Sequence, residues 1–185
     1  MRTKEQSTIE VIASSGIFQI DFFHKTGNSD FDSLIEISRA LEKDYGSKAV
    51  LSEKTIEKYF NRSGSLPFVA RYRGKIIGYI IGIPLEYLNT EPWVRTEENF
   101  GMENTIYTYA FIILSDYRKN GYASMLKKVY LSKIEKLKNI DYVSGHVIKG
   151  AANRFKGNIE ILNTVQNWQG TGKFLNTIEG FLVLG

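Results

Sequence analysis

Cysteine is absent from this 185-residue chain, and histidine occurs only twice, as His24 and His146. The absence of cysteine excludes disulfides, thiolate zinc sites and a cysteine nucleophile. Two histidines do not suffice for a histidine-rich site, so we predict no metal cofactor. No run approaches the roughly 18 apolar residues of a membrane span, and no apolar stretch resembling a signal peptide follows the N-terminal methionine. The sequence therefore predicts a cytoplasmic protein without a membrane partner.

The composition is typical of a globular domain. Hydrophobic residues make up 43% of the chain and charged residues 24%, which are ordinary values for soluble proteins. Eleven tyrosines, eleven phenylalanines and two tryptophans supply ample bulk for a core. Because domains commonly contain roughly 100–200 residues, we expect residues 1–185 to form a single domain.

The charges are segregated along the chain, although the net charge is only +4. Residues 118–138 contain seven basic side chains and one acidic side chain, whereas residues 85–104 contain five glutamates and one arginine. The basic segment is compatible with an anionic ligand or with a solvated helix face. The acidic segment favours a cationic partner, because its field would attract positively charged molecules.

Local patterns predict a mixed sheet covered by helices. A capping signal at Ser29 and Asp32 begins the first helix, and Gly46 is well placed to end it. The predicted strands cover residues 8–23, 67–72, 75–83, 105–114, 142–148 and, in one or two pieces, 173–184. The other predicted helices cover residues 52–60, 122–137 and 151–165.

The junction between the strand at 105–114 and the next helix is the most informative segment. The helix begins at Gly121, and unpaired backbone N–H groups at a helix start form a natural anion site, reinforced by the helix dipole. Arg118 and Lys119 add positive charge beside it. These features favour a bound diphosphate, while an ordinary strand–helix junction remains the alternative interpretation.

The segment Arg118-x-x-Gly121-x-Ala123 resembles the Arg/Gln-x-x-Gly-x-Gly/Ala signature of the GNAT superfamily, the acetyl-CoA-dependent N-acyltransferases. Tyr117 precedes the arginine, as in many members of that family. The predicted order of strands and helices also resembles the GNAT fold over nearly the whole chain. The resemblance implies an α/β (α+β) fold with a mixed, mostly antiparallel central sheet of six or seven strands flanked by about four helices.

The resemblance also implies a site for acetyl-CoA. In the family, the end of this strand offers backbone groups to the pantetheine and the acetyl carbonyl, and the following turn wraps the pyrophosphate. The strand at 142–148 would form the other wall of a V-shaped opening. Many members have an asparagine after that strand; Ala151 occupies the expected position, and Asn153 and Asn158 lie nearby. The implied cosubstrate-binding residues are Phe111, Ile112, Ile113, Arg118, Lys119, Asn120, Gly121, Tyr122, Ala123 and Asn153.

Amide formation requires a base, because an amine with a pKa near 10 holds its proton at neutral pH. Gly145-His146-Val147 resembles the segment in which some members place a catalytic glutamate, so we predict His146 as the base; a packed histidine is the alternative. Glu103, acting through a water chain, is a second candidate. No tyrosine follows Tyr142 in the sequence, so the tyrosine that protonates the leaving thiolate in many members is missing or comes from elsewhere.

The resemblance implies transfer of an acetyl group from acetyl-CoA to a primary amine by direct attack. The acceptor is a small-molecule amine or a lysine or N-terminal amine of a protein, and the acidic segment favours a cationic one. A non-catalytic acyl-CoA-binding or sensing module is the alternative. No nucleic-acid-binding motif is present, so nucleic acid is not an expected partner. Because many relatives pair, a homodimer is compatible with the family.

Overall fold

The computed structural model describes residues 3–151, 158–165 and 178–184. Short 3₁₀ turns connect several of the regular elements. The helices are α1 (Phe31–Ser38), α2 (Glu42–Tyr45), α3 (Glu53–Tyr59) and α4 (Tyr122–Ile134). The strands are β1 (Thr8–Ser15), β2 (Phe18–Lys25), β3 (Leu66–Tyr72), β4 (Lys75–Pro84), β5 (Thr105–Ile113), β6 (Tyr142–Ile148), β7 (Asn158–Val165) and β8 (Ile178–Leu184).

The strands form one sheet in the order β1-β2-β3-β4-β5-β6-β8-β7. Each neighbouring pair is antiparallel except β5 and β6, which are parallel. A parallel pair needs a crossover connection, and α4 supplies it. The predicted mixed, mostly antiparallel α/β architecture is confirmed.

Two predicted elements were wrong, and together they raise the number of strands from six or seven to eight in the described part of the chain. The predicted single strand at 8–23 is the hairpin β1–β2, because Gly16, with a φ of 61°, permits a tight turn. The predicted helix at 151–165 contains β7 instead. Its β-branched residues suit a strand, and antiparallel pairing with β8 satisfies the backbone groups along one edge of β7. Residues 152–157 and 173–177 lie outside the described residues.

The predicted first helix is divided into shorter pieces. Its N-cap is Asp30 rather than Ser29, and no side chain caps the backbone there. The Asp30 carboxylate instead accepts hydrogen bonds from Ser7 Oγ at 2.6 Å and Arg71 Nη2 at 3.3 Å. Gly46 ends α2 as predicted, with a φ of 85°.

Helices cover both faces of the sheet. Helices α1 and α3 pack with β4 and β5 on one face, whereas α4 packs with other residues of those strands on the opposite face. Gly82 of β4 permits close approach of α4, because a Cβ atom at this position would lie only 2.5 Å from Tyr130 Oη. The sheet therefore separates α1 and α3 from α4.

Candidate active site

The parallel strands β5 and β6 separate partway along their length. They pair only between residues 105–108 and 142–145. Beyond that point β5 remains paired with β4, and β6 remains paired with β8. Tyr109 is an extra residue in β5, since Thr108 and Ala110 pair with consecutive residues of β4. Such a bulge redirects a strand locally, and a gap opens beside it.

A cavity of about 920 Å³ occupies this gap. Its walls include Tyr107, Tyr109 and Phe111 of β5 and His146 of β6. Residues around α2 and α3 line it on one face of the sheet, and Ala123 of α4 lines it on the other. The cavity thus reaches both helical layers through the opening between the strands.

The turn before α4 has the geometry of an anion site. Lys119 and Gly121 have φ values of 65° and 80°, in the left-handed region. The first helical hydrogen bond runs from the Met125 N–H to the Gly121 carbonyl at 3.0 Å. Gly121 has no side chain that could accept hydrogen bonds from the N–H groups of the first helical turn. Arg118 Nε donates to the Ile113 carbonyl at 3.2 Å, which fixes the arginine against the end of β5. The N–H groups at the start of α4 can therefore receive a phosphate oxygen.

The predicted cosubstrate-binding residues differ in how they can contribute. Phe111 and Ala123 line the cavity, whereas the Ile112 and Ile113 side chains are buried in the core, leaving only their backbone for a ligand. The Tyr122 ring stacks on Phe18 with a centroid distance of 4.1 Å, so its backbone N–H is the group that faces a ligand at the helix start.

The remaining predicted binding positions lie at the turn or outside the described part. Arg118, Lys119 and Asn120 are exposed at the turn. Asn120 Nδ2 donates to the Tyr117 and Arg118 carbonyls at 3.3 and 3.2 Å, which holds the turn together. Asn153 lies outside the described residues.

His146 lies at the cavity beside two aromatic residues. Its Nδ1 atom is 2.9 Å from the hydroxyl of Tyr107, and its ring meets Trp93 edge-on with a centroid distance of 4.7 Å. Burial lowers the pKa of His146 to about 4, so its imidazole is neutral at pH 7. Because Nδ1 is paired with the Tyr107 hydroxyl, a role in proton transfer would fall to Nε2. With a proton on Nδ1, Nε2 is a hydrogen-bond and proton acceptor.

Glu103, the second predicted base, is exposed and does not line the cavity. Its φ is 53°, and its backbone N–H donates to Glu86 Oε1 at 3.0 Å. The structure thus brings His146, but not Glu103, to the cavity wall. The catalytic role of each residue stays a prediction.

Four tyrosines supply hydrogen-bond donors to the cavity wall, although none of them follows Tyr142 in the sequence. Tyr45, Tyr59, Tyr107 and Tyr109 all line the cavity. Burial raises the pKa of Tyr107 and Tyr109 above the usual value near 10, so both hydroxyls keep their protons at neutral pH. Of these, Tyr45 and Tyr59 were missed because they lie far from the signature in sequence, on α2 and α3.

The charged residues of the cavity were also not predicted. Among the described residues that line it, Glu91 is the single carboxylate from the acidic segment, while Lys48, Lys54, Lys58 and Lys127 supply positive charge. Glu97 lies beside Trp93 and His146 in an adjoining crevice, where burial raises its pKa. The described residues contain no group of three or more histidines or carboxylates that could hold a metal ion.

A model of the acetyltransferase (GNAT) family matches residues 32–152, about two thirds of the chain. This match includes β5, the turn before α4, α4 itself and β6, and the chain therefore belongs to the acetyltransferase (GNAT) family. A comparison with curated protein sequences gave no match.

Solved acetyltransferase structures have the same fold. Arabidopsis thaliana NAA60 in complex with acetyl-CoA matches with a TM-score of 0.65 at 15% identity, covering 90% of this chain and 98% of that one. The ribosomal-protein-alanine N-acetyltransferase of Brucella melitensis matches with a TM-score of 0.64 at 16% identity, covering 85% and 95%. A spermidine N-acetyltransferase SpeG chimera from Vibrio cholerae and hSSAT matches with a TM-score of 0.57 at 14% identity, covering 97% and 96%.

Family membership confirms the predicted class of enzyme. The chain is an N-acetyltransferase of the GNAT type, and acetyl-CoA is its cosubstrate. The gap, the edge of β5 and the start of α4 fit that molecule, since they combine a large cleft with backbone donors for phosphate. None of the helices within the described ranges is long and apolar enough to cross a membrane.

Proposed function

We propose that the enzyme transfers the acetyl group of acetyl-CoA to a primary amine by direct attack of the amine on the thioester carbonyl. The observation that carries the proposal is the continuous cavity at the gap between β5 and β6. Its wall includes the first turn of α4 on one face of the sheet and Tyr45, Tyr59 and Trp93 on the other. Two substrates can therefore approach the same opening from opposite faces.

In this proposal, acetyl-CoA supplies an activated acetyl group, and the protein positions it. The start of α4 holds the pyrophosphate with backbone N–H groups, and Arg118 and Lys119 add charge. Because β6 leaves β5 after Thr108, the free edge of β5 offers backbone groups to the pantetheine arm. A backbone N–H directed at the acetyl oxygen stabilises the negative charge that develops there.

His146 receives the amine proton in this proposal. An imidazole with a pKa of about 4 does not deprotonate a free ammonium group efficiently, so the ammonium loses its first proton to solvent and the neutral amine attacks. The N–H protons become far more acidic as the C–N bond forms, and Nε2 then accepts one of them. Because the resulting imidazolium is strongly acidic, it passes the proton on readily to the departing thiolate or to solvent. Tyr109 keeps its proton at pH 7 and donates a hydrogen bond to the thiolate.

The test measures CoA release and the mass of the acetylated product across a panel of amines, with wild type, His146→Gln and Glu103→Gln. We expect His146→Gln to lower kcat by about 100-fold, the scale of general acid–base catalysis, with an unchanged KM for acetyl-CoA. A fall in kcat for Glu103→Gln alone would move the base to Glu103. Binding of acetyl-CoA without any acetylated product would favour the non-catalytic module.

The remaining expectations about location and partners belong to this proposal. The enzyme acts in the cytoplasm and has no nucleic acid or membrane partner; cell fractionation and a nucleic-acid pull-down test these points. A homodimer also stays a prediction, which light scattering during size-exclusion chromatography checks directly.

A further inference from the structure

Three lysines line the cavity on the face of the sheet that carries α1 and α3. Lys54 and Lys58 are four residues apart, which places them on the same side of α3, and Lys48 lies in the turn before that helix. All three side chains are exposed. Within the part of the chain that the structure describes, none of them forms an ion pair with a carboxylate. Lys58 Nζ lies 4.8 Å from the centroid of the Tyr59 ring, a contact that brings no opposing charge. The charges of all three lysines are therefore available to a ligand.

The carboxylates near these lysines do not neutralise the mouth of the cavity. Glu57 accepts a hydrogen bond from Asn61 Nδ2 at 2.7 Å, and neither it nor Glu53 lines the cavity. Glu91 is the single carboxylate among the described lining residues, and its charge is close enough to raise the pKa of Tyr107 and Tyr109. Glu91 in the cavity and Glu97 in the adjoining crevice thus lie beside the tyrosines of β5, while three positive groups lie around α3.

The phosphates of CoA do not account for the three lysines. The anion-binding turn belongs to the face that carries α4, where Arg118 and Lys119 lie at the helix start and Lys127 lines the cavity. The sheet separates this face from α3. Lys48, Lys54 and Lys58 consequently lie on the side from which the second substrate reaches the thioester.

We propose that the acceptor is an amine whose carrier also bears a carboxylate or phosphate, bound by Lys48, Lys54 and Lys58. This inference rests on the proposed function and specifies its acceptor. The ammonium form of the amine is attracted to Glu91 before reaction, and the anionic group remains at the lysines. The three lysines repel a polycation such as a polyamine. The sequence analysis favoured a cationic acceptor; in this proposal only the reacting amino group of the acceptor carries positive charge.

The test uses conjugates in which CoA is joined through an acetyl spacer to the acceptor amine, so that binding is measured without turnover. Three conjugates carry the C-terminally amidated tetrapeptides Ser-Asp-Asp-Ala, Ser-Asn-Asn-Ala and Ser-Lys-Lys-Ala. A fourth carries a single aspartate, which distinguishes a small anionic amine from a peptide. The proteins are wild type, the double variant Lys54→Gln/Lys58→Gln, and the control Lys138→Gln, which removes an exposed lysine outside the cavity.

We expect calorimetry to give the order aspartate-containing, asparagine-containing, lysine-containing, from tightest to weakest. Because an exposed ion pair changes an equilibrium by roughly 1.5- to fivefold, two lysines should give an aspartate preference of roughly two- to 25-fold. The double variant should lose this preference and keep its affinity for CoA alone, while Lys138→Gln should keep both. Raised salt should reduce the preference in wild type.

The outcomes separate this inference from the proposed function. Equal binding of all conjugates, or tighter binding of the lysine-containing peptide, overturns the anionic acceptor while leaving acetyl transfer in place. An aspartate preference that survives in the double variant overturns the role of these lysines. Failure of every conjugate and of CoA itself to bind the folded protein overturns the proposed function as well.

Discussion

Replacing Gly121 by glutamate should weaken the binding of acetyl-CoA far more than replacing it by alanine. Gly121 is the N-cap of α4 and has a φ of 80°, a conformation that costs roughly 1–2 kcal/mol for a residue with a Cβ atom. A Cβ atom built at this position meets nothing within 4 Å. Both variants therefore carry the same backbone strain without a clash, and only glutamate adds length and negative charge.

The expected effect on binding follows from the charge. A carboxylate about 4 Å from one unit of phosphate charge is disfavoured by about 1 kcal/mol at the dielectric constant of water and about 4 kcal/mol at an effective value near 20. Gly121 is exposed, so the free-energy penalty for CoA binding lies between these two limits. The affinity for CoA should fall by about fivefold to several hundredfold relative to the alanine variant.

Two measurements check this prediction. Denaturant titration should show that both variants lose about 1–2 kcal/mol of unfolding free energy relative to wild type. Calorimetric titration with CoA should then separate them. A folded glutamate variant that binds CoA as tightly as the alanine variant would refute the assignment of this turn to the pyrophosphate.

Three further predictions concern stability. The pKa of His146 is about 4 in the folded chain against 6.5 in the unfolded chain, so the unfolded state binds the proton first. Unfolding free energy should fall by up to about 3 kcal/mol between pH 6.5 and 4, and an equally steep fall in His146→Gln would contradict this cause. Gly82→Ala should cost about 1–3 kcal/mol, because the new methyl would clash with Tyr130; a wild-type Tm would argue against it. Arg71→Met should cost about 3–5 kcal/mol, because Arg71 Nε lies 2.9 Å from the fully buried Asp21 carboxylate; adding Asp21→Asn should restore part of the loss, and no restoration would exclude the buried charge as the cause.

The cosubstrate site could be predicted because its parts are contiguous in the chain. Strand β5, the turn and helix α4 together occupy residues 105–134. The signature and the change from a strand pattern to a helix pattern of hydrophobic residues therefore fall within one short segment. The acceptor side is different. Lys54, Glu91 and His146 line one cavity only because α3 packs against the sheet face and β5 lies beside β6, and no local pattern specifies that arrangement.

The error at β7 has a related cause. Ile159, Ile161, Leu162 and Val165 fit a helical period as well as a strand. Pairing with β8, about 20 residues away in the chain, decides in favour of the strand. The lowered pKa of His146 could not be predicted for a similar reason. It comes from burial of the side chain, and the sequence alone does not show which residues are buried.

The short parallel pairing is also the junction between two parts of the sheet. Four residue pairs between 105–108 and 142–145 are the pairs that join β6, β8 and β7 to the part formed by β1–β5. The number of residue pairs between β5 and β6 therefore sets the size of the opening available to both substrates. Two more pairs would bring His146 alongside Tyr109 and Val147 alongside Ala110. The sheet would then be continuous for longer, and the cavity between β5 and β6 would be smaller.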